Sequence, residues 1–306
     1  MKRILFIIVC LAIAGMQSLK AQPSIAALHH AGKVTLYSGA QLQTALDKAV
    51  SGDTIYLSEG TFGGDITVDK SNIALIGAGE RTILTGYFTL GKSGAVTSNC
   101  VVEGLNMTGN KIWVHQVSNC VMSQCQFRKI VGTDGTAGAI ADLLISRCFC
   151  REEMDLSRLN FVSVINSKIA KVSNYNESTS FTNCNIGYVP FAAPDNYYDD
   201  SKRVFTNCII NGWGTRATAI NCILRTSDPA GIIRDCYVIP ESVLDDNLDC
   251  TLDNLSDYLG TDGTVVGIMG GDTPYTLTPV APHVSEHNIE VDAENQKLNV
   301  TLTIEN

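Results

Sequence analysis

The sequence has little that would mark a catalyst or a nucleic-acid binder. Its 306 residues include only 5 His, 2 Trp and 8 Pro. No GxSxG, HExxH, P-loop or dinucleotide fingerprint is present, so the motifs that set up a nucleophile, a catalytic zinc or a nucleotide phosphate are missing. His283 and His287 stand four apart, but Pro282 and the alternation that follows argue against a helix, and no metal ligands are assigned. No CxxC pair occurs either. Basic residues are short as well: 22 Lys and Arg against 31 Asp and Glu, for a net charge of −9. That balance leaves no electrostatic footprint for nucleic acid. It would also repel a polyanionic glycan, unless a metal or a local basic patch intervened.

Long apolar runs are absent except at the start. Lys2 and Arg3 precede the apolar stretch Ile4–Ile13, and Leu19-Lys20-Ala21 offers a small-residue cleavage site. The run is too short to span a bilayer, so residues 1–21 read as a secretory signal peptide and no membrane span is expected. Cleavage removes Lys2, Arg3, Lys20 and no acid, which makes the mature chain more acidic than −9. The expected location is periplasmic, cell-surface or extracellular. Residues 22–33 are then expected as a flexible lead-in.

What is present is repetition. Ser98-Asn99-Cys100-Val101 returns twenty residues later as Ser118-Asn119-Cys120-Val121. A looser unit, polar then Cys then an apolar residue two on, runs through Gln124-Cys125, Arg147-Cys148, Asn183-Cys184, Asn207-Cys208, Asn221-Cys222 and Asp235-Cys236. Gly104-Leu105 and Asn166-Ser167 belong to the same series, and the units recur every 14 to 24 residues. Helical repeats need apolar spacing at i, i+3 and i+4 over ten or more residues, which these segments lack. They are short runs of Val, Ile, Phe and Cys between Gly, Asn, Asp and Ser, the composition of strands and turns. Coiled into a stack, each strand pairs in parallel with its equivalent one turn away at ~4.8 Å. Equivalent inward residues then lie on one another, which favours repeating the same residue. Asn and Asp before each inward residue suit a tight bend in the left-handed conformation, and their stacked side chains could bond between coils.

Ser38-Gly39-Ala40-Gln41 reads as a capping box, followed by the helical stripe Leu42, Ala45, Leu46 and Ala49 and a stop at Gly52. Such a helix would cover the open end of the stack. The whole pattern resembles the pectate-lyase-like, right-handed parallel β-helix superfamily. The resemblance is carried by the column Asn166, Asn183, Asn207, Asn221 and Asp235, by the segment 42–55, and by Leu57-Ser58-Glu59-Gly60-Thr61-Phe62 and Ile73-Ala74-Leu75-Ile76-Gly77-Ala78-Gly79. Val265–Tyr275 looks like the closing segment of exported Bacteroidetes β-helix proteins. The expectation is therefore an all-β, single-stranded parallel β-helix over 34–275, with an N-terminal capping helix. Residues 276–306 are read as a linker and a C-terminal β-hairpin appendage, because His287–Asp292 and Lys297–Ile304 alternate polar and apolar residues.

Ten of the 11 cysteines survive cleavage. Stacked side chains lying in parallel do not easily reach disulfide torsions, so mostly free, buried thiols are expected. Candidate chemistry is sparse. The segment 188–203 holds Asp195, Tyr197, Tyr198, Asp199, Asp200 and Arg203. Aromatics beside acids suit an oligo- or polysaccharide, by stacking on sugar faces and accepting hydroxyl hydrogen bonds; Ca²⁺ could be held by the same acids, but no specific motif supports it and no cofactor is assigned. A second loop, after Phe127, carries Arg128, Lys129 and Asp134, and the stretch Arg147, Arg151, Glu152, Glu153, Asp155, Arg158 reads as surface ion pairs. A lyase of the resembled fold would neutralise a uronate and take a proton with Lys or Arg. Lys129, Arg151, Lys168 and Lys171 are of that type but match no lyase or glycosidase motif. The function expected is thus non-catalytic glycan binding or a part in a surface assembly, with a polysaccharide lyase or hydrolase as the alternative.

Overall fold

The computed structural model describes residues 24–133, 140–175, 177–190, 203–215, 217–226, 231–278, 283–292 and 297–305. Its body is a parallel β-solenoid. One sheet stacks, in chain order, from Thr54–Leu57 through Ala74–Ile76 and Val101–Glu103 to Thr218–Ile220 and Ile232–Arg234, and the other from Gly60–Phe62 to Tyr237–Ile239. The pairing register sets equivalent residues one above the next, so Leu75, Val102, Met122, Ile145, Val164, Phe181 and Phe205 form a single column in the first sheet. All are fully buried. In the second sheet Met107, Phe127, Cys150, Ile169, Ile186 and Ile210 do the same.

The front end differs in one respect from its sequence. Residues 22–33, expected to be flexible, hold strand β1 (Ile25–His30) in their described part. It pairs antiparallel with β2 (Lys33–Ser38) and with β3 (Thr54–Leu57), and it buries Ala26 and Leu28 on the first coil. The following helix α1 (Leu42–Lys48) covers that coil with Leu42, Ala45 and Leu46, as the stripe predicts. It ends at Lys48 rather than near Gly52, because Ala49 is extended (ψ 145°) and the Asp53 carboxylate takes the Val50 N–H at 2.8 Å.

The bends behave as the Asn and Asp positions imply. Gln124, Arg147, Asn166, Asn183, Asn207, Asn221 and Asp235 all have φ between 44° and 53°. Asn72, Asn99 and Asn119 make a second such corner, with φ from 52° to 59°. The side-chain ladder lies at this second corner: Asn99 Nδ2 donates to Asn72 at 2.8 Å, and Asn119 Nδ2 to Asn99 at 2.7 Å. In the column for which bonds between coils were expected, Asn166, Asn183 and Asn207 bond the C-terminal tail instead.

That tail is the main departure from the expected boundaries. Parallel stacking ends at Ile239, not near residue 275. Residues 241–278 fold back over earlier coils: the chain reaches Asn185 and Lys168 by residues 248–249, returns to Asn207 at Thr261, and then runs to Asn166 and Gln124. Asn211 accepts from Ser242 Oγ at 3.2 Å, and Asn207 Oδ1 accepts the Thr261 N–H at 2.9 Å. Asn185 Nδ2 donates to the Leu248 carbonyl at 2.8 Å. Asn166 Nδ2 reaches the Ile268 and Gly270 carbonyls at 3.1 and 2.7 Å, and Gln124 donates to the Thr278 carbonyl. Gly267 is required where the tail crosses: φ is 83°, and a Cβ there would stand 2.6 Å from Asn185 Oδ1. Beneath the tail lies a second apolar cluster of Ile209, Ile223, Val243, Leu244, Leu248 and Val266. Ile209 and Ile223 point outward from their sheet yet are fully buried, each contributing ~1.5–3 kcal/mol of apolar burial. The hairpin His283–Asp292/Lys297–Glu305 pairs only with itself among the described residues.

The ten cysteines Cys100 to Cys250 are free, and eight of them are buried. The stack places sulfurs beside the backbone of the neighbouring coil: Cys222 N–H donates to Cys236 Sγ at 3.3 Å and Cys208 N–H to Cys222 Sγ at 3.3 Å. Burial pushes the Cys125, Cys150 and Cys208 thiols well above the ordinary value. Burial also keeps reagent from eight of the ten sulfurs, so titration of the native protein should find at most the half-buried Cys236 and Cys250 reactive, with denaturant releasing the rest. Broad reactivity in the native state would contradict the inward placement.

Candidate functional site

The second sheet has its longest strands between Asn106 and Asn174. Each bends partway along, where the register shifts: between Met107 and Lys111, Phe127 and Lys129, and Cys150 and Met154. At such a bend consecutive residues point outward, breaking strict alternation. After it the strands are again in register, which aligns Lys111, Lys129 and Glu153 across three coils. Lys171 joins from the fourth, its Nζ 3.6 Å from Glu153 Oε1.

The result is a strip of three lysines around one carboxylate on the outside of the sheet. Lys129 Nζ donates to Glu153 Oε2. Lys129, with Lys171 adding to its effect, holds the Glu153 carboxyl below the usual carboxylate range against the opposing push of burial. Lys111 has no acid partner among the described residues; its ammonium stands 5.6 Å from the centre of the half-buried Trp113 ring. Further along, Arg128 pairs with Glu152 at 3.5 Å. Arg151 donates to Gln126 Oε1 at 2.7 Å and stacks 4.6 Å over Phe149. The ion pairs expected in the 147–158 stretch are thus present in part, but they tie neighbouring coils together.

The sequence-expected residues fare differently. Asp195, Tyr197, Tyr198, Asp199 and Asp200 lie outside the described residues. Arg203 is described, and it is buried at 6% exposure with its guanidinium 4.9 Å from the Tyr175 ring. Lys168 lies under the tail, its Nζ 2.6 Å from Asp249 and 5.0 Å from the Tyr275 ring, so it is spent on holding the tail. Of the four candidate bases, Lys129 and Lys171 are brought together and Arg151 sits one coil corner away. Lys111 and Trp113 were not singled out from the sequence. Their signal was the run Lys111-Ile112-Trp113-Val114, an outward cation and ring flanking a buried Ile112, which acquires meaning only once the register is known.

Among the described residues there is no group of three or more His, Cys, Asp or Glu that could hold a metal ion. Comparison with protein-family models, curated proteins and solved structures returns no match.

Proposed function

We propose that this chain is an exported β-solenoid protein that binds an acidic glycan on the strip Lys111–Trp113–Lys129–Lys171 without cleaving it. The observation that carries this reading is the alignment of three ammonium groups and one aromatic ring on the outside of the second sheet. It is the local basic patch without which so acidic a chain would repel a polyanion. Successive coils set binding groups ~4.8 Å apart, a spacing on the scale of a sugar ring. Lysines answer carboxylates as point charges, and the Trp113 face suits the apolar side of a sugar. Glu153 supports binding rather than acid catalysis, since a carboxyl kept ionised between two lysines has no proton to give at neutral pH.

The test is retardation in native gels cast with uronate polymers or with neutral polysaccharides. Retardation is expected only in the acidic gels and should weaken with added salt, because the contacts are partly exposed. Lys111→Ala with Lys171→Ala should weaken binding about 10-fold or more, at ~1.4 kcal/mol per decade. Glu153→Gln should do the reverse and tighten it, because Lys129 and Lys171 are then free for the ligand. Equal retardation of the lysine variant, or weaker binding by Glu153→Gln, would place any ligand elsewhere. Unsaturated uronate products in the same incubations would favour a lyase.

A further inference from the structure

The two ends of the solenoid are finished differently. The first coil is closed by α1, with Leu42, Ala45 and Leu46 buried. Nothing described closes the last. Ile232 and Val238 are 39% and 46% exposed. Their equivalents one coil back, Thr218 and Leu224, are 6% and 0% exposed. The strands Ile232–Arg234 and Tyr237–Ile239 are the end members of their sheets, so their outer backbone groups have no ladder partner among the described residues. Pro240 follows and brings no N–H to a further rung.

The described tail meets this coil only from the side, where Tyr258 packs edge-on against Tyr237 at 4.7 Å, and it does not cross the open end. At Thr278 it bonds Gln124, and between the corners at Gln124 and Asp235 lie those at Arg147, Asn166, Asn183, Asn207 and Asn221. At ~4.8 Å per coil that is roughly 29 Å from the last coil, whereas residues 279–282 can span about 14 Å at most.

We infer that the open coil docks against the open coil of a second copy of this chain, tail to tail. A strand edge with apolar neighbours is a template for another edge, and the identical surface is complementary if a twofold axis relates the copies. Strands then pair antiparallel across the joint, and Ile233 and Val238 of each copy continue the core of the other. Charge fits the same symmetry. Arg234 and Asp235 are adjacent, exposed and opposite in sign, so a twofold axis can set each arginine toward the partner's acid. Because α1 covers the other end, the joint uses one end per chain and gives a closed dimer rather than a fibre.

The test is sedimentation velocity on the full chain over a range of concentrations. A two-chain species is expected for the native sequence. Ile232→Lys with Val238→Lys should give a single-chain species with unchanged circular dichroism, since neither side chain is buried in the lone chain. Should that variant misfold, Arg234→Asp alone should weaken the dimer at least several-fold, and Arg234→Asp with Asp235→Arg should restore it. A native chain that stays single at every concentration would overturn the inference, and hydrogen-exchange protection of Tyr237–Ile239 in that single chain would assign the cover to its own hairpin. Open-ended oligomers, or a dimer that survives both the lysine pair and Arg234→Asp, would also overturn it.

Discussion

Phe205→Ala is expected to lower the unfolding free energy by about 3–5 kcal/mol, the range for deleting a large aromatic from a core that cannot collapse. Phe205 is fully buried and lies flat on Phe181, with centroids 4.7 Å apart and planes 6° from parallel. Tyr175 and Trp213 meet it edge-on at 5.6 and 5.5 Å. In a solenoid the coil spacing is held by the backbone ladders, so neighbouring coils cannot close the gap. The residue in register on the next coil is already Ala219, which leaves no large side chain on that side to move in. Chemical denaturation gives the comparison, with Phe205→Leu as the milder control. A loss below ~1 kcal/mol for alanine would mean that the column is not packed as described.

Leu46→Asp should cost a similar amount, about 3–5 kcal/mol, for a different reason: it places a charge where α1 closes the first coil. Leu46 is 4% exposed. The helix is pinned around it by Gln43, whose Oε1 accepts the Thr67 N–H at 2.8 Å, and by Lys70, which donates to the Ala49 carbonyl at 2.9 Å. An aspartate at 46 would be desolvated, and Lys70, the cation nearby, is held by the Ala49 carbonyl, so α1 must either lift or bury the carboxylate at a cost. Lifting uncovers the buried strand Ile66–Val68 and the β1 face against which α1 packs. Melting that matches the unsubstituted protein would show that α1 is not a cap.

The coil repeat was legible because parallel stacking writes the same residue type at equivalent places. Cys184, Cys208 and Cys222 and the Asn residues before them mark one corner without reference to anything distant. The helix was legible from local spacing alone. The partners of the Asn column were not. Asn166 has the same backbone conformation as Asn99, with φ 44° against 56°, yet bonds a tail more than a hundred residues away rather than its stacked neighbour. A local pattern reports the bend and not what the side chain faces. Ile209 and Ile223 did carry a warning, since apolar residues at outward positions imply a cover. The lysine strip was hidden for another reason. Lys111, Lys129, Glu153 and Lys171 fall in different repeats, and the register shifts at the bends make their alignment invisible to counting.

The strip itself has a built-in probe, because the chain contains only 2 tryptophans and Trp213 is buried in the aromatic core at 5% exposure. A change in tryptophan emission on adding ligand therefore reports Trp113. Titration with an acidic oligosaccharide should give a saturable change that added salt weakens. The change should vanish in Trp113→Leu, and it should require about 10-fold more ligand in Lys111→Ala with Lys171→Ala. A neutral oligosaccharide of the same length should leave the emission unaltered. Saturable binding of the acidic ligand with no change in Trp113 emission and full affinity in the lysine variant would contradict the proposed site outright.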